Sequence, residues 1–208
     1  METLPPEAFH YRELGDDSFR ARDYVGAVSH YDRAIQIAPD YVLAYENRGL
    51  AYYEQRQLDR AIVDYTACLD LAAERASVYW KRALAYYKSN QYDQAIADYS
   101  KAIEFESSEP WLYHVRGIVH FKKGDYPSAI ADHSRSLELD PHNAFVYHSR
   151  GRAYAAMHDY DRALSDFNRA IESKPEFDMA HRDRAMVYAA LGMTSQAEAD
   201  DDEDKPDN

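Results

Sequence analysis

The chain has 208 residues, a formal net charge of -13 and a single cysteine. The negative charge argues against a nucleic-acid-binding protein, because phosphate contacts need a basic surface, and against binding to an anionic membrane surface. One cysteine excludes an internal disulfide framework and favours a reducing compartment, so we expect a cytoplasmic protein.

The first seven residues predict a short irregular arm, because they include Pro5 and Pro6. This segment lacks the basic stretch and the apolar run of a signal peptide. No later apolar run approaches the length of a membrane span. We therefore expect neither a signal peptide nor a membrane-spanning helix.

From residue 8 onwards the sequence repeats with a period of 34 residues. Each period holds two amphipathic stretches joined by a short polar turn, which predicts a pair of helices. A small residue of the first helix recurs at Gly15, Gly49, Ala83, Gly117, Gly151 and Ala185, and an alanine of the second helix recurs at Ala27, Ala61, Ala95, Ala129, Ala163 and Ala197. Rings recur at Tyr11, Tyr45, Tyr79, Tyr113 and Tyr147 in the first helix, and at Tyr31, Tyr65, Tyr99, His133 and Phe167 in the second.

This spacing of small and aromatic residues resembles the tetratricopeptide repeat (TPR) family from residue 8 to about residue 199. The resemblance implies an all-α solenoid of helix-turn-helix repeats with a right-handed twist. Five full repeats are expected at residues 8–41, 42–75, 76–109, 110–143 and 144–177. A partial sixth repeat or cap is expected at residues 178–199, followed by an acidic tail at residues 200–208.

Several positions within the repeats predict local structure. Asp23, Asp125 and Asp159 are placed to cap the second helices of their repeats, and Pro127 falls in a first turn, where its missing N–H costs little. Cys68 occupies a slot that holds alanine in other repeats, which predicts a small core residue rather than a reactive thiol.

An arginine of the first helix precedes an aspartate of the second helix by sixteen residues in five repeats. Repeat one has Leu14 and His30 at these positions, so both members are absent together. This predicts a row of structural ion pairs, which we favour over an arginine row that binds a polyanion. The pairs are Arg48/Asp64, Arg82/Asp98, Arg116/Asp132, Arg150/Asp166 and Arg184/Asp200.

In TPR proteins the first helices line a concave wall, and the resemblance implies that peptide ligands bind there. In this chain the middle of the wall is apolar and aromatic, contains both tryptophans and is rimmed by basic residues. We expect it to bind an apolar or amphipathic, partly acidic segment of a protein partner. The candidate partner-binding residues are Leu50, Tyr53, Trp80, Lys81, Leu84, Tyr87, Lys88, Trp111, His114, Phe121, Lys122, Phe145, His148 and Arg152. Some of them could instead pack against the next repeat, and Leu50 and Leu84 are the most balanced cases.

One TPR subclass binds the C-terminal carboxylate of chaperone tails with a two-lysine, two-asparagine clamp. The matching positions here are Arg12, Asp16, Asn47, Ser77 and Lys81. Asp16 would repel a carboxylate and Ser77 has replaced a lysine, which makes this ligand improbable.

The sequence predicts neither a catalytic site nor a cofactor. It has no nucleophile motif, no glycine-rich phosphate loop and no paired-carboxylate signature. His120 and His133 could approach each other across a helix pair, but no ligand cluster with metal spacing surrounds them. We therefore expect a non-catalytic scaffold or adaptor without a metal. Self-association into a homo-oligomer and regulation of a partner enzyme are the alternatives, and a concentration-dependent mass would indicate the former.

Overall fold

The computed structural model describes residues 4–203, with side chains up to Asp200. This part of the chain contains twelve α-helices and no strand. The helices divide into two compact units, a first unit up to Ser107 and a second unit from Ser108. The first unit contains α1 (Pro6–Arg20), α2 (Tyr24–Ile37), α3 (Val42–Glu54), α4 (Leu58–Leu71), α5 (Ala76–Lys88) and α6 (Tyr92–Phe105). The second unit contains α7 (Pro110–Lys123), α8 (Tyr126–Leu139), α9 (Ala144–Ala156), α10 (Tyr160–Ser173), α11 (Asp178–Ala190) and α12 (Thr194–Glu203).

Within each unit every helix packs against the next one in the chain, and neighbouring first helices also meet. In the first unit α3 contacts both α1 and α5, and in the second unit α9 contacts both α7 and α11. The first helices of successive repeats therefore lie side by side within each unit. This arrangement brings side chains about one repeat apart in sequence into contact.

The helices of a pair approach closely where a ring lies on a glycine. A Cβ atom added to Gly151 would lie 2.8 Å from the Phe167 ring, and one added to Gly49 would lie 2.9 Å from the Tyr65 ring. Both rings are almost fully buried. Of the alanines predicted at the crossing, Ala197 is only partly buried, and the other five, Ala27, Ala61, Ala95, Ala129 and Ala163, are completely buried. The predicted core of the helix pair is thus confirmed.

Each turn inside a repeat contains one residue with a positive φ angle, and these residues also recur with the 34-residue period. The residues are Arg22, Arg56, Asn90, Gly124, His158 and Gly192. The next residue caps the following helix in three repeats, as predicted. The side chains of Asp23, Asp125 and Asp159 accept hydrogen bonds from the backbone N–H groups of Gly26, Ser128 and Arg162.

Both ends of the described chain are more helical than the sequence predicted. Helix α1 begins at Pro6, inside the expected arm, and residues 1–3 of that arm lie outside the described residues. Helix α12 continues to Glu203, so the expected acidic tail begins inside a helix. Asp200 is buried there against Arg184. Residues 204–208 of the tail lie outside the described residues.

Candidate functional site

The predicted ion pairs of the first and second helices are all present. The Nε and Nη2 atoms of Arg82 donate hydrogen bonds of 2.7 and 2.9 Å to the two carboxylate oxygens of Asp98. Because Asp98 is buried, this forked contact satisfies a carboxylate that water cannot reach. The same contact joins Arg48 to Asp64, Arg116 to Asp132, Arg150 to Asp166 and Arg184 to Asp200.

In four of these arginines, Arg48, Arg82, Arg150 and Arg184, the third guanidinium nitrogen reaches the preceding repeat, a contact that was not predicted from the sequence. Nη1 of Arg82 donates to the Thr66 hydroxyl at 3.0 Å, and Nη1 of Arg184 donates to the Asn168 side chain at 2.6 Å. Asp32 and Ser134 accept the equivalent bonds from Arg48 and Arg150. The sequence contains a signal for these contacts, because the acceptors also recur with the 34-residue period. The arginines therefore bind side chains of the fold itself and do not form an anion-binding row.

The first-unit wall is our name for the predicted residues Leu50, Tyr53, Trp80, Lys81, Leu84, Tyr87 and Lys88. All except Lys88 are partly buried. Tyr53 packs against a buried cluster that includes Tyr65, and burial raises the pKa of its hydroxyl. Burial likewise raises the pKa of the Tyr87 hydroxyl. Each of these two rings is partly buried in the core and partly exposed at the surface.

Lys81, which was expected to rim the groove, is ion-paired within the first unit. Its ammonium lies 2.5 Å from Oε1 of Glu46, and Arg75 lies 2.6 Å from the other carboxylate oxygen. Burial alone would raise the pKa of Glu46, but the hydrogen bonds and charges of Lys81 and Arg75 lower it below its usual value. The ammonium also lies 5.5 Å from the centre of the Trp80 ring. Lys81 therefore already has a carboxylate partner, unlike Lys88, which lies over the Tyr87 ring.

Four of the five positions that match the chaperone-tail clamp, Arg12, Asp16, Asn47 and Lys81, make internal contacts. Asp16 accepts hydrogen bonds from the Tyr31 hydroxyl at 2.7 Å, from the Asn47 amide at 2.8 Å and from Arg12. Asn47 and Arg12 are thus bound to the aspartate that replaces the clamp asparagine. These two side chains are therefore already engaged within the chain.

The second-unit wall is our name for the predicted residues Trp111, His114, Phe121, Lys122, Phe145, His148 and Arg152. Three of them come together around an open cavity of about 50 Å³ between α7, α8 and α9. Its lining residues are Ile118, Phe121, Lys122, His133, Ser149 and Arg152. The Arg152 guanidinium lies over the Phe121 ring at 5.1 Å. We call this space the α7–α9 cavity.

A second open cavity, of about 350 Å³, lies between α9, α10 and α11 and also includes Arg152 in its lining. We call it the α9–α11 cavity. Its other lining residues are Ala155, Tyr160, Phe167, Asp183, Met186, Val187 and Ala190. Nε of Arg152 lies 3.5 Å from Asp183, whose carboxylate also contacts His148 at 2.8 Å. Arg152 therefore stands on the boundary between two neighbouring cavities.

The apolar residues of the second-unit wall remain open at the N-terminal ends of the first helices. Trp111 is 39% exposed and Phe145 is 50% exposed. Met179, at the equivalent position of α11, is 52% exposed. Phe145 packs edge-on against the buried Phe177 ring, and the ammonium of Lys174 lies 5.0 Å from the centre of the Phe145 ring.

The structure does not support His148 as an open contact residue. Only 6% of this residue is exposed, because its imidazole packs between the Phe167 and Phe177 rings and contacts Asp183. The expectation that it lines an accessible groove was wrong, since the position faces the neighbouring helix. Its sequence equivalent His114 is less buried but lies against another core residue.

His133 pairs with His114 rather than with His120, which the sequence analysis had considered. The Nδ1 atoms of His114 and His133 are 3.4 Å apart. Burial lowers the pKa of His114 to about 4. Burial, together with the nearby His114, Arg150 and His120, lowers the pKa of His133 to about 3. His120 instead lies 3.2 Å from Asp125 and 3.9 Å from Asp132. Across the described residues, no group of three or more His, Cys, Asp or Glu side chains is arranged to hold a metal ion.

A cavity in the first unit is built from the same repeat positions as the α7–α9 cavity, three periods earlier. It is an open cavity of about 290 Å³ and is lined by Asp16, Phe19, Arg20, Tyr31, Asn47 and Leu50. The ring of the second helix, Tyr31 in one case and His133 in the other, lines each cavity. The sequence predicted these rings only as core residues, although their period matches that of the wall residues.

Family models match most of the chain. A model described as "TPR repeat" matches residues 15–56 and 84–124. Models described as "Tetratricopeptide repeat" match residues 108–176 and 42–75. No curated protein matches the sequence. None of the described helices is long and apolar enough to cross a membrane.

Solved structures share the fold at low sequence identity. MamA is 22% identical with a TM-score of 0.78, and the match covers 82% of this chain and 93% of MamA. YrrB, described as "a TPR protein with an unusual peptide-binding site", is 20% identical with a TM-score of 0.76, over 83% of this chain and 89% of YrrB. A tetratricopeptide repeat protein from Parabacteroides merdae is 20% identical with a TM-score of 0.84, over 97% of this chain and 82% of that protein. At these identities the likeness shows the fold alone.

Proposed function

Because the chain belongs to the tetratricopeptide repeat family and has its all-α fold, we propose that it is a non-catalytic scaffold or adaptor for protein–protein interaction. Its first-helix walls bind an apolar or amphipathic, partly acidic segment of a protein partner. The single cysteine is buried and free, which fits a role in a reducing compartment such as the cytoplasm.

The observation that carries this proposal is the exposure of large apolar side chains on the first helices of the second unit. Trp111, Phe145, Met179 and Met186 are between 39% and 66% exposed, and the α7–α9 and α9–α11 cavities lie between these helices. Fully burying one large apolar side chain contributes about 1.5–3 kcal/mol. A partner that covers several of them gains enough to offset the cost of ordering a flexible segment.

The peptide-binding site described for YrrB supports a peptide-like ligand for a related fold. The acidic component of the ligand is supported by Lys88, Lys122 and Arg152, which stand beside aromatic rings on the walls. Lys81 is a weaker candidate for this role because Glu46 already binds it.

The test begins with co-purification from the native host and identification of the recovered partner. The partner's affinity is then measured for wild type and for Trp111→Ala/Phe145→Ala. We expect at least a tenfold loss of affinity, equal to about 1.4 kcal/mol. The control is Val25→Ala/Val63→Ala, which truncates two exposed apolar residues on second helices and should leave affinity unchanged.

Light scattering distinguishes the other outcomes. If both double variants bind the partner as tightly as wild type, the first-helix wall is not the binding site. If wild type has no partner and its mass rises with concentration, while the Trp111→Ala/Phe145→Ala variant stays monomeric, the wall is a self-association surface and the adaptor proposal is wrong.

A further inference from the structure

The equivalent cavities of the two units differ in charge. The first-unit cavity contains Asp16, which already accepts hydrogen bonds from Arg12, Tyr31 and Asn47. The α7–α9 cavity has Ile118 at the position of Asp16, and no carboxylate is among its lining residues. Two cations, Lys122 and Arg152, line it, whereas the first-unit cavity has one cation, Arg20, which is ion-paired with Asp17. In a chain with a net charge of -13, this is a local basic site beside apolar surface.

The two cations are available to a ligand. Lys122 is exposed, and among the described residues it has no hydrogen bond or ion pair. Arg152 is half-exposed and lies 3.5 Å from Asp183 through Nε, too long for a strong hydrogen bond. By contrast, Lys81 of the first-unit wall is held by Glu46 at 2.5 Å. Nearby carboxylates therefore neutralise Lys122 and Arg152 less than Glu46 neutralises Lys81. The second-unit cations are the better partners for a ligand carboxylate.

Apolar space lies on both sides of Arg152. The α7–α9 cavity offers Ile118 and Phe121, and the α9–α11 cavity offers Ala155, Met186 and Val187. Asp183 lines only the α9–α11 cavity and would repel a carboxylate there. The favourable place for a negative charge is thus at Lys122 and Arg152, with apolar groups to either side.

We infer that the partner segment carries an acidic side chain between two apolar side chains. Lys122 and Arg152 bind the carboxylate, one apolar side chain enters the α7–α9 cavity, and the other enters the α9–α11 cavity. This inference rests on the proposed function, and it assigns the acidic contact to one place on the second unit. Because Asp183 lines the α9–α11 cavity, a second acidic residue at the α11 end of the bound segment should weaken binding.

A random peptide library displayed on phage provides the test, with the full-length chain as bait. Wild type, Lys122→Gln, Arg152→Gln and Arg169→Gln are screened in parallel. Arg169 is the matched control, because it is an exposed arginine of the second unit that pairs with Glu172 and lines neither cavity. Thermal unfolding is recorded for each variant, and Lys122→Gln decides the matter if Arg152→Gln does not fold.

The expected result is that wild type and Arg169→Gln select peptides with an acidic residue between two apolar residues, and that the other two variants lose the acidic preference. Replacing that acid by its amide in a synthetic peptide should weaken binding to wild type by about ten- to hundredfold. The same replacement should have much less effect on binding to Arg152→Gln. This coupling ties the acid to that arginine.

Two outcomes overturn the inference and leave intact the proposed binding of a partner segment by the first-helix walls. Peptides that require Trp111 and Phe145 but show no acidic preference would mean that Lys122 and Arg152 do not bind an acidic residue of the ligand. An acidic preference that survives both Lys122→Gln and Arg152→Gln would place the carboxylate elsewhere. If no selected peptide depends on Trp111 and Phe145, the inference and the proposed function fail together.

Discussion

Arg150 donates a 3.0 Å hydrogen bond to the hydroxyl of Ser134, although the two residues belong to successive repeats. The other nitrogens of the same guanidinium bind Asp166 in its own repeat. One side chain thus joins the second helix of its own repeat to the second helix of the preceding one. Within each unit, the arginines link neighbouring repeats as well as the helices of one pair.

The ion pair of Arg82 and Asp98 should show strong energetic coupling. Removing either partner leaves a desolvated charge, so Arg82→Gln or Asp98→Asn should each lower the free energy of unfolding by about 3–5 kcal/mol. The double variant should lose clearly less than the sum of the two, as measured by urea unfolding. The exposed pair Arg169 and Glu172 serves as a control with little coupling. Additive losses for Arg82 and Asp98 would reject the structural ion pair.

At turn positions with a positive φ angle, replacing glycine should lower the free energy of unfolding, whereas introducing glycine should not. Gly124 has a φ of 86°, and a Cβ atom added there would meet nothing within 4 Å, so Gly124→Ala tests the backbone alone. We expect it to lower the free energy of unfolding by about 1 kcal/mol. His158 has a φ of 62° at the equivalent position, and His158→Gly should be neutral or stabilising. Equal losses in both variants would contradict this account.

Acidification should destabilise the protein through His114 and His133. Both have a folded-state pKa below the usual 6.5, about 4 and about 3. The unfolded chain therefore binds more protons than the folded one as the pH falls below about 6.5, and stability falls with it. The loss for His133 should be roughly 2 kcal/mol at about pH 5.

The variant His133→Phe provides the check, because Phe167 occupies the same position in repeat five. It keeps a ring against the first helix and removes one titrating group, so unfolding free energies measured across this pH range should depend less on pH. His142→Gln, at an exposed histidine, should leave the pH dependence unchanged. An unchanged slope in His133→Phe would show that His133 is not the group responsible.

Cys68 should be unreactive in the folded protein. Its side chain is fully buried and burial raises the pKa of its thiol to about 11, so little thiolate is present and reagents cannot reach it. Iodoacetamide treatment near neutral pH, followed by mass spectrometry, should give no label under native conditions and complete label in denaturant. Rapid native labelling would indicate that this helix pair opens.

The repeat architecture could be predicted because it depends on local and periodic features. The glycine or alanine at each helix crossing, the ring opposite it and the aspartate caps all recur in the sequence. The five arginine–aspartate pairs were predictable for the same reason, since both members recur at a fixed spacing. The acceptors Thr66 and Ser134 also recur, but their bonds join successive repeats, so the spacing within one repeat does not predict them.

The sequence by itself determined the family, the helix pairs and the identity of the residues on the first helices. Only the tertiary structure decided which of those residues remain accessible. Glu46 binds Lys81, and Asp183 contacts the buried His148. Lys122, in contrast, has no carboxylate partner among the described residues. These differences arise from contacts between neighbouring first helices, where the residue one repeat away varies from repeat to repeat. The 34-residue period determines which positions lie on the wall. The side chain that each of these residues meets on the neighbouring first helix determines how far its charge is neutralised and how exposed it is.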